Sequence, residues 1–231
     1  IWFGTDNGLC RYDGYSVQTF YNPAMSFDQY VSALEDYDEG LLVGTVKGAY
    51  LFDFATEQFK KLDDKINSTV YHFSLDGDRN VWISTAEQGL FRYNLNTHES
   101  RNYKIKGSKG NVACTLVDVN NQVWALCNTA GSTLQRLNKS NDTFYPFRLK
   151  GDATQLNGMA MLANSDGSIL VGTWDQGLYQ VETDGTTKLL ISASLTNSLH
   201  HIHKLLNDRN LFVLIGCDEG LVEYDIQKGT W

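Results

Sequence analysis

Short apolar runs recur along this chain at 31–34, 70–75, 112–117, 159–163 and 202–206. Each is closed by turn residues, the pattern of a strand buried on both faces. A turn follows, opened by Asp36, Asp76, Asp118, Asn164 or Asp208. An Asp or Asn there can accept hydrogen bonds from backbone N–H groups two or three residues on. Six places after the turn residue stands a large apolar side chain, Leu42, Trp82, Trp124, Leu170 or Leu214. It lies inside a second strand phrase, of which Leu41-Leu42-Val43-Gly44-Thr45 is one copy and Ile1-Trp2-Phe3-Gly4-Thr5 another. A third strand begins at a glycine and ends in an aromatic and an acid or amide, as in Gly89-Leu90-Phe91-Arg92-Tyr93-Asn94. A fourth is marked by Phe20, Phe59, Tyr103 or Phe147. No segment sustains a 3.6-residue period, so the chain reads as all-β.

The first glycine of the second phrase, or its equivalent, falls at 4, 44, 84, 126, 172 and 216, steps of 40, 40, 42, 46 and 44 residues. A four-strand unit with a period in the forties predicts a β-propeller of four-stranded antiparallel blades. Trp2, Trp82 and Trp124 are expected to fill the gap between neighbouring blades, and the glycine to let the next blade approach. The first repeat lacks its inner strand and the last its outer one. The expectation is four full and two partial blades, an incomplete ring in which residues 1–231 form part of a larger seven-bladed propeller.

The formal charge is −8, with acids spread along the chain. That disfavours nucleic acid and anionic membranes as partners of this segment, since both need a basic face. No run of about 18 apolar residues is present to span a membrane. Cys10, Cys114, Cys127 and Cys217 have no zinc-ligand spacing. Cys114 and Cys127 share a hairpin: a two-residue turn at Asn120-Asn121 would set them opposite each other, whereas a turn from Asp118 to Gln122 would offset them and leave them unbonded. No cofactor is implied.

The composite phrase, an apolar strand, then Asp-x-x-Gly, Leu-Trp-Val-Gly-Thr and Gly-Leu-x-x-Tyr-Asp, resembles the two-component regulator propeller repeat. Residues 164–177 and 1–13 match it best. The resemblance implies the periplasmic sensor region of a Bacteroidetes hybrid two-component histidine kinase, an inner-membrane protein that detects oligosaccharides. In that family two tandem seven-bladed propellers and a small β-sandwich precede the membrane helix and kinase. The implied partners are an oligosaccharide, the remaining propeller and β-sandwich domains of the same chain, and a second copy in a homodimer. The kinase would belong to the parent protein, with no catalytic residue in this segment.

Ligands of propellers bind at rim loops, which vary on a rigid support. The loops joining second and third strands carry Glu87 and Gln88, Asn128, and Trp174-Asp175-Gln176. Trp174 lies outside the core tryptophan position. It could stack on a sugar ring while Asp175 and Gln176 bond its hydroxyls, or it could pack on a neighbouring loop. His200, His201 and His203 suggest a metal at first sight, but no third ligand of suitable spacing is evident. They read instead as polar side chains on an inner strand, and no metal site is expected. Asp6, Glu87, Asp175, Asp218 and Glu219 leave open a propeller-fold lyase or glycosidase, which would need two facing carboxylates. A pure protein-interaction scaffold is the third reading.

Overall fold

The computed structural model describes residues 1–25, 29–38, 40–105, 108–127, 134–193, 200–208 and 212–231. The chain divides into two compact units, Ile1–Val112 and Ala113–Trp231. In the first unit, β1 (Trp2–Thr5), β2 (Gly8–Tyr12) and β3 (Val17–Phe20) form a three-stranded sheet. Two four-stranded sheets follow: β4 (Val31–Tyr37), β5 (Gly40–Thr45), β6 (Gly48–Asp53) and β7 (Gln58–Lys61), then β8 (Val70–Leu75), β9 (Asn80–Thr85), β10 (Leu90–Asn94) and β11 (Ser100–Tyr103).

The second unit opens with β12 (Cys114–Val117), β13 (Val123–Leu126), β14 (Leu134–Asn138) and β15 (Thr143–Pro146). The next sheet has five strands, β16 (Lys150–Gly151), β17 (Gly158–Ala163), β18 (Ile169–Thr173), β19 (Gly177–Val181) and β20 (Thr186–Ser192). The last has three, β21 (Lys204–Asp208), β22 (Phe212–Cys217) and β23 (Gly220–Asp225). The chain is all-β, built of six blade sheets of the β-propeller type.

Blades of strictly four strands were expected, and β16 departs from that. This two-residue strand pairs parallel to β20, Lys150 opposite Thr186 and Gly151 opposite Thr187. The Thr187 hydroxyl anchors it, donating to the Lys150 and Ala153 carbonyls and accepting the Ala153 N–H at 2.8 Å. Two residues are too few to show a strand pattern in sequence.

Turn acids and tryptophans prove to be one device. Asp118 accepts the N–H groups of Asn120 and Gln122 at 2.9 and 3.0 Å, while its other oxygen accepts the Trp124 indole N–H at 2.8 Å. Asp76 does the same for Asp78, Asn80 and Trp82. The amides held are two and four residues on, not two and three. A buried indole N–H needs a partner, and the spacing of six supplies it. Asp36, by contrast, lies within β4 opposite Leu41, and the hairpin turns later.

Each tryptophan also faces an arginine across the strand pair: Trp2 opposite Arg11, Trp82 opposite Arg92, Trp124 opposite Arg136. The guanidinium carbons stand 5.4, 5.7 and 5.1 Å from the ring centres, within cation–π range. The fourth-strand aromatic closes the group from the far side, Phe20 on Trp2, Tyr103 on Trp82 and Phe147 on Trp124, at 5.5, 5.4 and 4.8 Å. The tryptophans therefore tie the strands of their own blade together. Trp124 also reaches a core that includes Met161, Ile169 and Tyr179 of the following blade.

The phrase glycine does admit the next blade. A Cβ on Gly172 would come within 2.3 Å of the Ile202 side chain, and one on Gly44 within 2.8 Å of Val70.

Val117 pairs with Val123, so the turn runs from Asp118 to Gln122 and Cys114 faces Leu126, not Cys127. All four cysteines are free and buried. Burial pushes the Cys114 thiol up to about 11 and the Cys127 thiol up to about 12. Both raised values mean stability that is full below the unfolded thiol's range and lost as pH rises toward the folded values. We expect urea midpoints to fall between pH 8 and pH 11. At pH 8, Cys114 and Cys127 should resist iodoacetamide in the native protein and react fully in urea, as read by mass spectrometry. Rapid native labelling of either would contradict this burial.

Candidate functional site at the rim of the fifth and sixth blades

The rim loops between second and third strands are built by one recurring lock. The threonine ending the second strand donates its hydroxyl to the carbonyl of the glycine opening the third, and accepts an N–H from the loop. Thr85 bonds Gly89 at 2.7 Å and Gln88 N–H at 3.1 Å; Thr173 bonds Gly177 at 2.6 Å and Gln176 N–H at 3.0 Å. Thr5 and Thr45 repeat the pattern with Gly8 and Gly48. In the last blade Cys217 donates its thiol to Gly220 at 3.4 Å. The threonine of the phrase thus prepares a rigid loop on which variable side chains are displayed.

Trp174 is 43% exposed at such a loop. Its N–H donates to Asn157 at 2.9 Å and its carbonyl accepts from His201 at 2.8 Å. The indole lies on the His201 ring, centroids 3.7 Å apart and planes 34° apart. Residues 201–203 approach this loop in the order of their hydrogen bonds: His201 and Ile202 donate to Trp174 and Thr173, while His203 donates to Gly216 of β22. The two imidazoles then converge on the Asp218 carboxylate in the last rim loop. His201 Nδ1 meets one oxygen of Asp218, and His203 Nε2 meets the other at 2.5 Å. These contacts from His203 and His201 hold the Asp218 carboxyl below the usual carboxylate range. The result is a half-exposed indole, an imidazole beneath it, and a carboxylate anchored from both sides.

The histidines were expected on one face of an inner strand. They precede it: β21 begins at Lys204, and His201 takes φ 52°, which breaks any strand alternation. Among the described residues no group of three or more His, Cys, Asp or Glu is arranged to hold a metal ion. His201 and His203 were thus missed as members of the rim site, and Asp218, named as a rim acid, was not joined to them. The available signal was the 201/203 spacing together with Asp218 at the loop position equivalent to Trp174.

The other rim candidates divide. Asp175 is exposed and makes no hydrogen bond among the described residues, so its carboxylate is open to a ligand. Gln176 is committed through its Oε1, which accepts the Asn157 N–H at 2.9 Å, while its NH2 group makes no hydrogen bond among the described residues. Gln88 does the equivalent for Asn67 at 2.9 Å and also donates to Lys65 O. Both glutamines clamp the segment that leads into the first strand of their own blade. Glu87 and Gln88 line a cavity in the first unit, and Trp174 stands in the second. Asn128 lies outside the described residues.

No family model matches the sequence, and no curated protein does. Solved structures match over nearly the whole chain. The extracellular domain of the putative one-component system BT4673 from B. thetaiotaomicron aligns with a TM-score of 0.80 at 22% identity, covering 98% of this chain and 30% of that one. The chain shares its fold with this extracellular domain. A second, from the putative hybrid two-component system BT3049 of the same organism, gives 0.73 at 18% identity over 96% of this chain and 31% of its own. The chain spans about a third of the length of these two domains. Catalytically inactive H270A virginiamycin B lyase from Staphylococcus aureus, solved with quinupristin, has a TM-score of 0.79 at 9% identity, covering 96% and 75%. The blade architecture is therefore common to extracellular domains of these systems and to a lyase.

Proposed function

We propose that the chain is an extracytoplasmic ligand-binding segment of a hybrid two-component signalling protein, and that it detects an oligosaccharide. It belongs on this reading to the two-component regulator propeller family, with the remaining blades, a β-sandwich and a histidine kinase in the parent protein. That places the segment in the periplasm. The observation that carries the reading is Trp174: a half-exposed indole on a loop locked by Thr173 and backed by His201. A rigid aromatic face stacks on the C–H face of a sugar ring at little entropic cost. Asp175 beside it can accept hydroxyl hydrogen bonds.

Titration of the chain with a panel of neutral and acidic oligosaccharides, followed by calorimetry, tests this. Trp174→Ala should weaken the bound sugar by about fivefold or more, since aromatic contacts of this kind are worth about 1 kcal/mol and upward. Unchanged affinity would remove Trp174 as the platform.

A second reading has one observation in its favour. The Asp218 carboxylate held between two imidazoles, next to a ligand-sized aromatic face, is also a constellation for proton transfer. Product formation from any glycan in the panel, abolished by Asp218→Asn, would move the assignment to a propeller-fold enzyme.

A further inference from the structure

The cavity of the first unit carries a feature at odds with the charge of the molecule. It measures about 720 Å³, a size suited to a small ligand. Its wall holds Lys65, Lys104 and Lys109, with Glu87 the one acid. Three positive charges against one negative leave the hollow basic, in a chain of net charge −8. Lys104 and Lys109 are exposed and have no carboxylate partner among the described residues; Lys65 also feels the field of Asp63.

The hollow is also built, not merely open. Gly89 donates to Gly110 at 2.7 Å, and Asn102 donates through its amide to Gln88 O at 2.8 Å. Ser108 donates to Ile105 O and accepts the Gly110 N–H. Gly110 sits so close that a Cβ there would come within 2.0 Å of Glu87 O. Buried Phe91 and Ile105 supply an apolar part of the lining. The Asn102 carbonyl oxygen has no hydrogen bond among the described residues and can accept from a hydroxyl. A basic rim, an apolar floor and a hydroxyl acceptor together fit a sugar that bears negative charge.

We propose that this cavity binds an acidic oligosaccharide, its carboxylate or sulfate groups held by Lys104, Lys109 and Lys65. The saccharide part of the proposal rests on the sensor reading above, whereas the demand for negative charge rests on the cavity itself. Glu87 opposes the anion and so tunes selectivity for the number of charges it carries.

The test is calorimetric titration of the whole chain with trigalacturonate, a sulfated chondroitin disaccharide and neutral maltotriose, at low and high salt. Binding of either acidic probe supports the proposal, and the one that binds identifies the group. The pair Lys104→Gln and Lys109→Gln, both exposed and so without cost to folding, should weaken that probe by about tenfold, and raised salt should weaken it further. Glu87→Gln should tighten it by about threefold. Trp174→Ala should leave it unchanged. Maltotriose bound as tightly as the acidic probes, or acidic binding indifferent to the lysine pair, would overturn the proposal. Binding of maltotriose alone, lost with Trp174→Ala, would overturn it and leave the sensor reading standing. Silence of every probe would sink both.

Discussion

Gly177→Ala should destabilise the second unit by about 4 kcal/mol or more, a size reserved for a backbone conflict with no easy relaxation. Two costs combine. Gly177 has φ +99°, a region that L side chains rarely adopt. Its Cβ would also stand 2.0 Å from the Ile191 carbonyl oxygen and 2.8 Å from the Ala193 amide nitrogen. Those are backbone atoms of the neighbouring strand and its continuation, which no rotamer change can move. Gly220→Ala separates the terms. It occupies the equivalent position at φ +130°, with nothing within 4 Å of the built Cβ, so it keeps the conformational cost of about 1–2 kcal/mol without the collision. Urea unfolding of the two variants measures the difference. Equal losses would mean that β20 yields to the methyl group and that the close approach is not what requires glycine at 177. The Trp174 loop lies between Thr173 and Gly177, so ligand binding should fall with the stability of this variant.

Asp118→Ala is the second large effect, expected at about 3 kcal/mol. The substitution removes one carboxylate and orphans three donors, the amides of Asn120 and Gln122 and the indole of Trp124. Asp118 is 8% exposed and Trp124 4%, so water replaces the indole bond poorly at a cost of about 1 kcal/mol or more, and the two part-buried turn amides add the rest as the turn loosens. Asp118→Asn keeps an acceptor oxygen for one side only and should lose about half as much. A double-mutant cycle with Trp124→Phe isolates the indole bond: a coupling of about 1 kcal/mol is expected. A coupling near zero, with Asp118→Ala costing the same in either background, would show that the turn amides carry the whole effect.

Much of the blade was legible because its determinants are local. The period, the turn acids and the glycines each act within a few residues or at a fixed step, and β-strand side chains repeat every two. The indole cap was half visible: Asp118 and Trp124 were both singled out, but for separate duties. Joining them needs the hairpin register, which decides whether residue 118 can reach residue 124. The arginine over each tryptophan was missed for the same reason, since Arg136 becomes a neighbour of Trp124 only once β13 and β14 pair.

The rim was less legible. Gln88 and Gln176 were chosen as amides on exposed loops, where a ligand's hydroxyls would find them. Their carbonyls are instead committed to the backbone N–H groups of Asn67 and Asn157, 21 and 19 residues away in the chain. Loop position alone does not reveal whether a polar group has already found its partner. His201 and His203 show the reverse error. Set aside as strand residues, they meet Asp218 because the left-handed turn at His201 re-aims the segment before β21 starts.

By itself, then, the order of residues determined that this protein is all-β and repeats a blade in steps of forty to forty-six residues. These follow from burial patterns and turn chemistry that a short stretch of chain contains in full. Only the tertiary structure decided which rim groups are free to meet a ligand. It set Trp174 on His201, tied down the carbonyls of the two glutamines, and gathered Lys65, Lys104 and Lys109 around one hollow of an acidic chain. The physical reason is that hydrogen-bond satisfaction and charge clustering are properties of space, settled when residues far apart in sequence are brought within a few ångströms.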